Sequence, residues 1–241
     1  MKVLAIIPAY NEEKSIKEVC DNIEKVKYGK DYTLDYIVIN DGSKDKTEEI
    51  CTKNNIPVIN LVNNLGIGGA VQTGYKYAYL HNYDIAIQFD GDNQHDANYI
   101  DDIVKPIINN ECEMTVGSRY VKELSEFKST FLRQFGIKFL STILKTTTGK
   151  KIYDVTSGMR AINKDIIKIF INDYPIDYPE PETLVAVLIK GYKIKEVPVK
   201  MHERKTGRSS ITPISSIYYM TKVSYSMIMK SIIERRQKNG K

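Results

Sequence analysis

Short apolar runs alternate, along the first half of this chain, with stretches whose apolar residues recur at helical spacing. The pattern predicts strands at Val3 to Ile7, Leu34 to Ile39, Val58 to Leu61, Tyr83 to Phe89 and Met114 to Gly117. Between them it predicts helices at Glu12 to Val26, Lys44 to Lys53, Gly68 to Leu80 and Tyr99 to Ile108. Strands separated by helices imply βαβ units, and so an α/β fold on a mostly parallel sheet flanked by helices.

From about Lys122 the pattern changes. A helix is expected near Phe131 to Lys145, then a Pro-rich turn from Tyr174 to Pro181, a helix at Glu182 to Lys190 and a strand at Lys193 to Val199. The last segment, Ile214 to Arg236, is nearly all apolar except for Lys222, Ser226, Lys230 and Glu234, which form a narrow polar stripe every four residues. This reads as an amphipathic C-terminal helix that packs on the domain, meets another subunit in a homo-oligomer, or lies on a membrane; its basic tail, Arg235 to Lys238, suits anionic headgroups. The expected division is a catalytic domain over residues 1–212 and a C-terminal helix with basic tail over 213–241.

Polar clusters fall where the predicted strands end: Pro8-Ala9-Tyr10-Asn11-Glu12, Asn40-Asp41-Gly42-Ser43 and Asp90-Gly91-Asp92. Ligands of open α/β sheets bind beyond the carboxyl ends of the strands, so all three can line one crevice. Asp90 and Asp92, with the amide oxygen of Gln94 nearby, are hard donors that suit Mg²⁺ or Mn²⁺ when substrate phosphates complete the shell. Asp41 can accept the imide N–H of uracil or guanine, and Tyr10 can stack on that base. Glu12 can hold a ribose hydroxyl or begin a helix, and Ser43 is placed to cap the helix after it.

Arg204 and Arg208, in the basic loop after Val199, can close on a diphosphate through paired hydrogen bonds. Glu180 and Glu182 straddle Pro181, and either can favour a helix N-terminus or act as a general base; Glu182 ranks first, ahead of His95 and His202. The glycines of Asn64-Leu65-Gly66-Ile67-Gly68-Gly69-Ala70 make a weak dinucleotide fingerprint, since the acidic residue such a site needs is missing; close helix–sheet packing explains them better.

Composition adds little. At 241 residues, 42% hydrophobic and 27% charged, the chain has ordinary globular values and room for a core. A net charge of +5 without aromatic-basic interleaving suggests anionic ligands but no nucleic-acid partner. Cys20, Cys51 and Cys112 are scattered and read as reduced thiols. No signal peptide or transmembrane stretch stands out, so the expected location is cytoplasmic, peripheral on the inner membrane face if the last helix binds lipid.

The ordered set of motifs resembles family 2 glycosyltransferases of the GT-A (Rossmann-like) fold. The set runs from Ile7-Pro8-Ala9-Tyr10-Asn11-Glu12 through Asp41-Gly42-Ser43, Asp90-Gly91-Asp92-Asn93-Gln94-His95 and Ser157-Gly158-Met159-Arg160. Glu196-Val197-Pro198 and Arg204-Lys205-Thr206-Gly207-Arg208-Ser209 complete it. The Gln94-His95 pair and the late Arg loop look most like the dolichyl- or polyprenyl-phosphate sugar transferase branch.

The resemblance implies an inverting, metal-dependent transfer of a hexosyl group from a UDP- or GDP-sugar to a polyprenyl phosphate or lipid-linked glycan. By matching positions, Pro8, Ala9, Tyr10, Glu12, Asp41 and Ser43 would hold the nucleoside. Asp90, Asp92 and Gln94 would hold Mg²⁺ or Mn²⁺, and Arg119, Arg204 and Arg208 would neutralise the leaving group. A phosphate acceptor needs no strong base; a sugar hydroxyl would want Glu182 or Asp154 to take its proton. Two departures stand out: Asn40 replaces an acidic residue, and the hydrophobic C-terminal spans of many lipid-phosphate members are missing. The rival readings are transfer to a sugar on a protein or soluble glycan, and a non-catalytic sugar-nucleotide-binding scaffold.

Overall fold

The computed structural model describes residues 1–121, 131–202 and 213–240, with side chains at all of these except 131–133, 213–218 and 239. Strand β1 (Lys2–Ala9) leads to helix α1 (Ile16–Val26), followed by β2 (Thr33–Asn40), α2 (Thr47–Lys53), β3 (Val58–Asn60), α3 (Gly66–Leu80) and β4 (Ile85–Gln88). Next come α4 (Ile100–Ile108), β5 (Met114–Ser118), α5 (Phe131–Thr148), β6 (Arg160–Asn163), α6 (Lys164–Phe170), α7 (Pro179–Ile189), β7 (Ile194–Pro198) and α8 (Pro213–Asn239).

The seven strands form one sheet in the order β3-β2-β1-β4-β6-β5-β7. All pairings are parallel except those of β6, which runs antiparallel to β4 and β5. The α/β, mostly parallel expectation therefore holds. β6 and α6 are additions: a four-residue strand joined without a crossover helix carries too little periodicity to be seen.

β1 is central and buried on both faces, which is why it reads as an unbroken apolar run. Val3, Ala5 and Ile7 join a core with α1, α2 and α4, while Leu4 and Ile6 join another with α3, α5, α6, α7 and α8. Successive side chains point to opposite faces of a strand, so one strand seeds both layers. The chain moves from β1 out to β2 and β3, then returns to place β4 on the other side of β1. That reversal puts the ends of β1, β2 and β4 around a crevice, the usual ligand position in such sheets.

Three local expectations change. α1 begins at Ile16 and α2 at Thr47, both later than periodicity suggests. Ser43 caps no helix; its Oγ accepts the backbone N–H of Asn11 at 2.9 Å, tying the loop after β2 to the loop after β1. The fingerprint-like glycines do not pack on the sheet: Gly66 has open space around it, Gly69 meets Leu65 of its own turn, and a β-carbon on Gly68 would lie 2.1 Å from the loop carbonyl oxygen of Pro175. Gly74, beyond that motif, is pressed on the sheet against Ile6. The three cysteines are free and buried.

Candidate active site

Two loops form one wall of the crevice, laced together by side chains. Lys44 N–H donates to Asn11 Oδ1 at 2.8 Å, Glu12 N–H to Thr47 Oγ1 at 2.9 Å and Glu13 N–H to Asp45 Oδ2 at 3.0 Å. Pro8 and Ala9 are buried at the end of β1, and Tyr10 stands 45% exposed at the mouth. The Glu12 carboxylate accepts the Ser15 hydroxyl at 2.7 Å, and its carbonyl accepts the N–H groups of Ser15 and Ile16, so it shapes the turn into α1.

Asp41 is buried at the end of β2. Its N–H donates to the Ala9 carbonyl at 2.8 Å, and its Oδ1 accepts Leu65 N–H at 2.7 Å. It thus joins β1, β2 and the start of α3, while staying beside Tyr10's strand end.

The second wall begins where β4 ends. Asp90 N–H donates to Nδ1 of His95 at 3.0 Å, which fixes the tautomer: Nε2 carries the proton and lies 3.5 Å from Asp90 Oδ2. Burial pushes the imidazole down to about 4, so His95 is neutral near pH 7 and braces Asp90 by hydrogen bonding rather than by charge. Asp92 Oδ1 accepts Gln94 N–H at 3.1 Å, holding the turn that follows. Residues 94–95 pair with 201–202: His202 N–H donates to the Gln94 carbonyl at 2.9 Å, and His95 bridges Met201. Arg204 and Arg208 lie outside the described residues; His202, just before them, lines the same cavity as Asp90.

That cavity, of about 90 Å³, is bounded by Asp90, Gln94, His95, Arg119 and Gly158. Arg119 is anchored from behind by Asp154, with Nε to Oδ2 and Nη2 to Oδ1 both at 2.7 Å and the backbone N–H to Oδ2 at 3.0 Å. Glu196 completes the anchor by accepting the N–H groups of Tyr153 and Asp154, each at 2.8 Å. Asp154 is fully buried in this arrangement, and its carboxylate anchors the arginine.

The two glutamates of α7 separate sharply. Two residues apart on a helix, they face nearly opposite sides. The Glu182 carboxylate accepts the Ser226 hydroxyl of α8 and so is directed toward that helix. Glu180 instead lies beside Gln88, which hydrogen-bonds it, and near Asp90 and Arg160. Burial raises its carboxyl above the ordinary glutamate range, with the Arg160 charge pulling the other way. Arg160 is itself buried and fixes this corner, donating to the carbonyls of Ser157, Glu180 and Val155 and to Thr183 Oγ1. Neither Arg160 nor Glu196 stands out in the sequence as more than part of a short motif.

Among the described residues no three His, Cys, Asp or Glu side chains converge as a complete metal shell. Asp90 and Asp92 supply two hard carboxylates at one turn, and Gln94, whose amide nitrogen donates to the His202 carbonyl at 3.4 Å, has its amide oxygen as a third donor. This donor chemistry fits Mg²⁺ or Mn²⁺ completed by oxygens from a ligand.

The family model for glycosyl transferase family 2 matches residues 4–170. A UDP-N-acetylglucosamine–dolichyl-phosphate N-acetylglucosaminyltransferase of Methanococcus voltae is 34% identical over 221 residues, covering 82% of this chain and 84% of that protein. A dolichol-phosphate mannosyltransferase of Pyrococcus furiosus is 29% identical over 244 residues, covering 98% of this chain and 66% of that protein. Among solved structures, glucosyl-3-phosphoglycerate synthase from Mycobacterium tuberculosis, in complex with Mn²⁺, UDP-glucose and phosphoglyceric acid, aligns with a TM-score of 0.71 at 18% identity. That match covers 95% of this chain and 79% of the other, and establishes the shared GT-A-like fold. With a family match over most of the chain and the strand-end crevice in place, this protein belongs to glycosyl transferase family 2 and is a glycosyltransferase.

Proposed function

We propose that this enzyme moves a hexosyl group from a UDP- or GDP-sugar to a polyprenyl phosphate, with inversion at the anomeric carbon. A phosphate oxygen of the acceptor forms the new bond to that carbon, and the bond to the donor diphosphate breaks, its electron pair leaving with the nucleoside diphosphate. The relatives named above act on dolichyl phosphates, which supports a lipid-phosphate acceptor here.

The observation that carries the choice of acceptor is the commitment of Asp154 to Arg119 and of Glu182 to Ser226. Both carboxylates expected to deprotonate a sugar hydroxyl are occupied elsewhere, whereas a phosphate acceptor arrives already ionised. Glu180, held protonated to higher pH by burial, suits a hydrogen-bond donor in the crevice.

In this reading Asp41 accepts the base imide, Tyr10 covers the base, and Pro8 and Ala9 form the floor beneath it. Asp90, Asp92 and Gln94 would hold Mg²⁺ or Mn²⁺, which would supply charge neutralisation to the diphosphate. Arg119, rigid because Asp154 grips it, adds a fixed positive charge where the leaving group develops its negative one. Arg204 and Arg208 follow His202 and are assigned to the same anion. The work is placed at the inner membrane face, where a polyprenyl phosphate is available.

Thermal unfolding with UDP or GDP, each with and without Mn²⁺, tests the donor site. A ligand that binds only the folded state stabilises it by RT ln(1 + [L]/Kd), about 2.7 kcal/mol at a hundredfold excess over Kd. The expected result is a metal-dependent rise with one nucleotide that Asp92→Asn abolishes. Transfer of labelled sugar to polyprenyl phosphate then tests the acceptor. Turnover with sugar hydroxyls and none with the lipid phosphate would replace this reading with a glycan-extending one.

A further inference from the structure

Helices α5 and α8 lie side by side and run parallel. A β-carbon on Gly136 would touch Met220 Sδ at 3.2 Å, and eleven residues further along α5 the Thr147 carbonyl accepts Arg235 Nη2 at 2.6 Å. One side of α8 is tied to the domain: Val223 and Met227 enter the core, Lys222 pairs with Asp177, and Lys230 pairs with Asp173, both at 2.7 Å. The opposite side carries Tyr225, Ile228 and Ile232, at the three- and four-residue spacing of one helical stripe, and all three are exposed. Phe135 and Phe139 of α5, one turn apart, are exposed as well, Phe135 at 65% and Tyr225 at 66%. The side of α5 that meets α8 is the side next to Phe139, so the two stripes adjoin.

The exposed acids beside α8, Asp173 and Asp177, are each paired with one of its lysines, and the exposed charges of α5 and α8 are themselves basic. Along its described side chains α5 carries exposed Lys138 and Lys145 and no acid. The single acid of α8, Glu234, is buried and paired with Lys190 and Lys230, leaving Arg236 and Lys238 exposed at its end. Among the described residues no helix is long and apolar enough to cross a membrane.

We infer that the Phe135–Phe139 and Tyr225–Ile228–Ile232 stripes together form a docking face for an anionic lipid surface. Exposed apolar side chains flanked by cations match a bilayer interface with negative headgroups, where rings and branched side chains enter the acyl boundary and lysines meet phosphates. A second copy of this chain is the less suited occupant, because pairing the face with itself would bring these cations together. The inference uses neither the donor nor the acceptor, so it stands or falls apart from the proposed reaction.

The test is flotation of the full chain with phosphatidylcholine vesicles, with and without phosphatidylglycerol, in the absence of any substrate. The expected result is recovery with the anionic vesicles, little with the neutral ones, and weakening as salt screens the charges. Phe135→Ser with Tyr225→Ser, both on exposed positions, should cut binding by about tenfold with circular dichroism and Tm retained. Lys138→Glu with Lys145→Glu should do the same without touching an apolar group. No flotation of the wild-type chain, or flotation unchanged in both variants, would overturn the inference. So would a dimer in sedimentation that Phe135→Ser with Tyr225→Ser dissociates, since that would show a second copy on the face.

Discussion

A β-carbon on Gly158 would stand 2.7 Å from Oδ2 of Asp90, so the absence of a side chain at residue 158 is what leaves that carboxylate room in the crevice. The atom in the way is the end of a side chain rather than backbone, and Gly158 has no left-handed conformation to protect. Gly158→Ala should therefore fold with nearly unchanged Tm, while Asp90 shifts and apparent Mn²⁺ affinity, read by the nucleotide-dependent Tm rise, falls by about tenfold or more. Unchanged Mn²⁺ dependence in a folded variant would mean that Asp90 is not a metal ligand.

Asp154 anchors Arg119 through two side-chain bonds and one backbone bond. Removing one partner of a buried pair strands the other charge, so Asp154→Ala should lower unfolding free energy by about 3–5 kcal/mol in urea titration. A base that the fold did not need would behave differently: the variant would be inactive at wild-type stability, and that result would support a proton-accepting role for Asp154.

Glu180 and Glu182 should part company on substitution. Glu180→Gln keeps a hydrogen-bond donor beside Gln88 and Asp90 and should reduce transfer less than tenfold, whereas Glu180→Ala should reduce it more. A loss of about 10²–10⁴-fold in Glu180→Gln would instead identify a general base and a hydroxyl acceptor. Glu182→Ala removes the bond to Ser226 and should appear as about 1 kcal/mol of stability, with turnover little changed.

His95 makes the metal-free protein acid-sensitive. Burial lowers its folded pKa from an ordinary value of 6.5 to about 4. The unfolded chain therefore binds more protons between those values, and stability falls as pH drops through that window; above it the contribution is complete. The loss at the acid end is on the order of 3 kcal/mol. His95→Gln should flatten this part of the pH–stability profile, and imidazole NMR should show Nδ1 unprotonated and Nε2 protonated at neutral pH. A His95 that titrates near 6.5 in the folded protein would contradict the buried, neutral brace.

Much of the architecture is written locally. The alternation of short apolar runs with apolar residues at helical spacing places β1 through β5 and the helices between them, because each element must bury apolar surface of its own sequence. The turn chemistry of Asp41-Gly42 and Asp90-Gly91 then puts polar clusters at strand ends, where any parallel sheet gathers them. Family membership follows from the order of those clusters.

What each carboxylate faces is a different kind of fact. Asp154 meets Arg119 across 35 positions and Glu182 meets Ser226 across 44, while Ser43 reaches back 32 positions to Asn11. No periodicity encodes such pairs, since they arise only when loops from separate elements converge. The sequence by itself therefore determined the parallel strands, the crevice at their ends and the acidic pair at its rim, but neither the antiparallel β6 nor the strand order. Only the tertiary structure decided that Glu180 rather than Glu182 turns inward, that Asp154 grips an arginine, and that α5 and α8 share an outward apolar face. Those outcomes depend on the angle at which each helix docks, and that angle is set by packing between residues far apart in the chain.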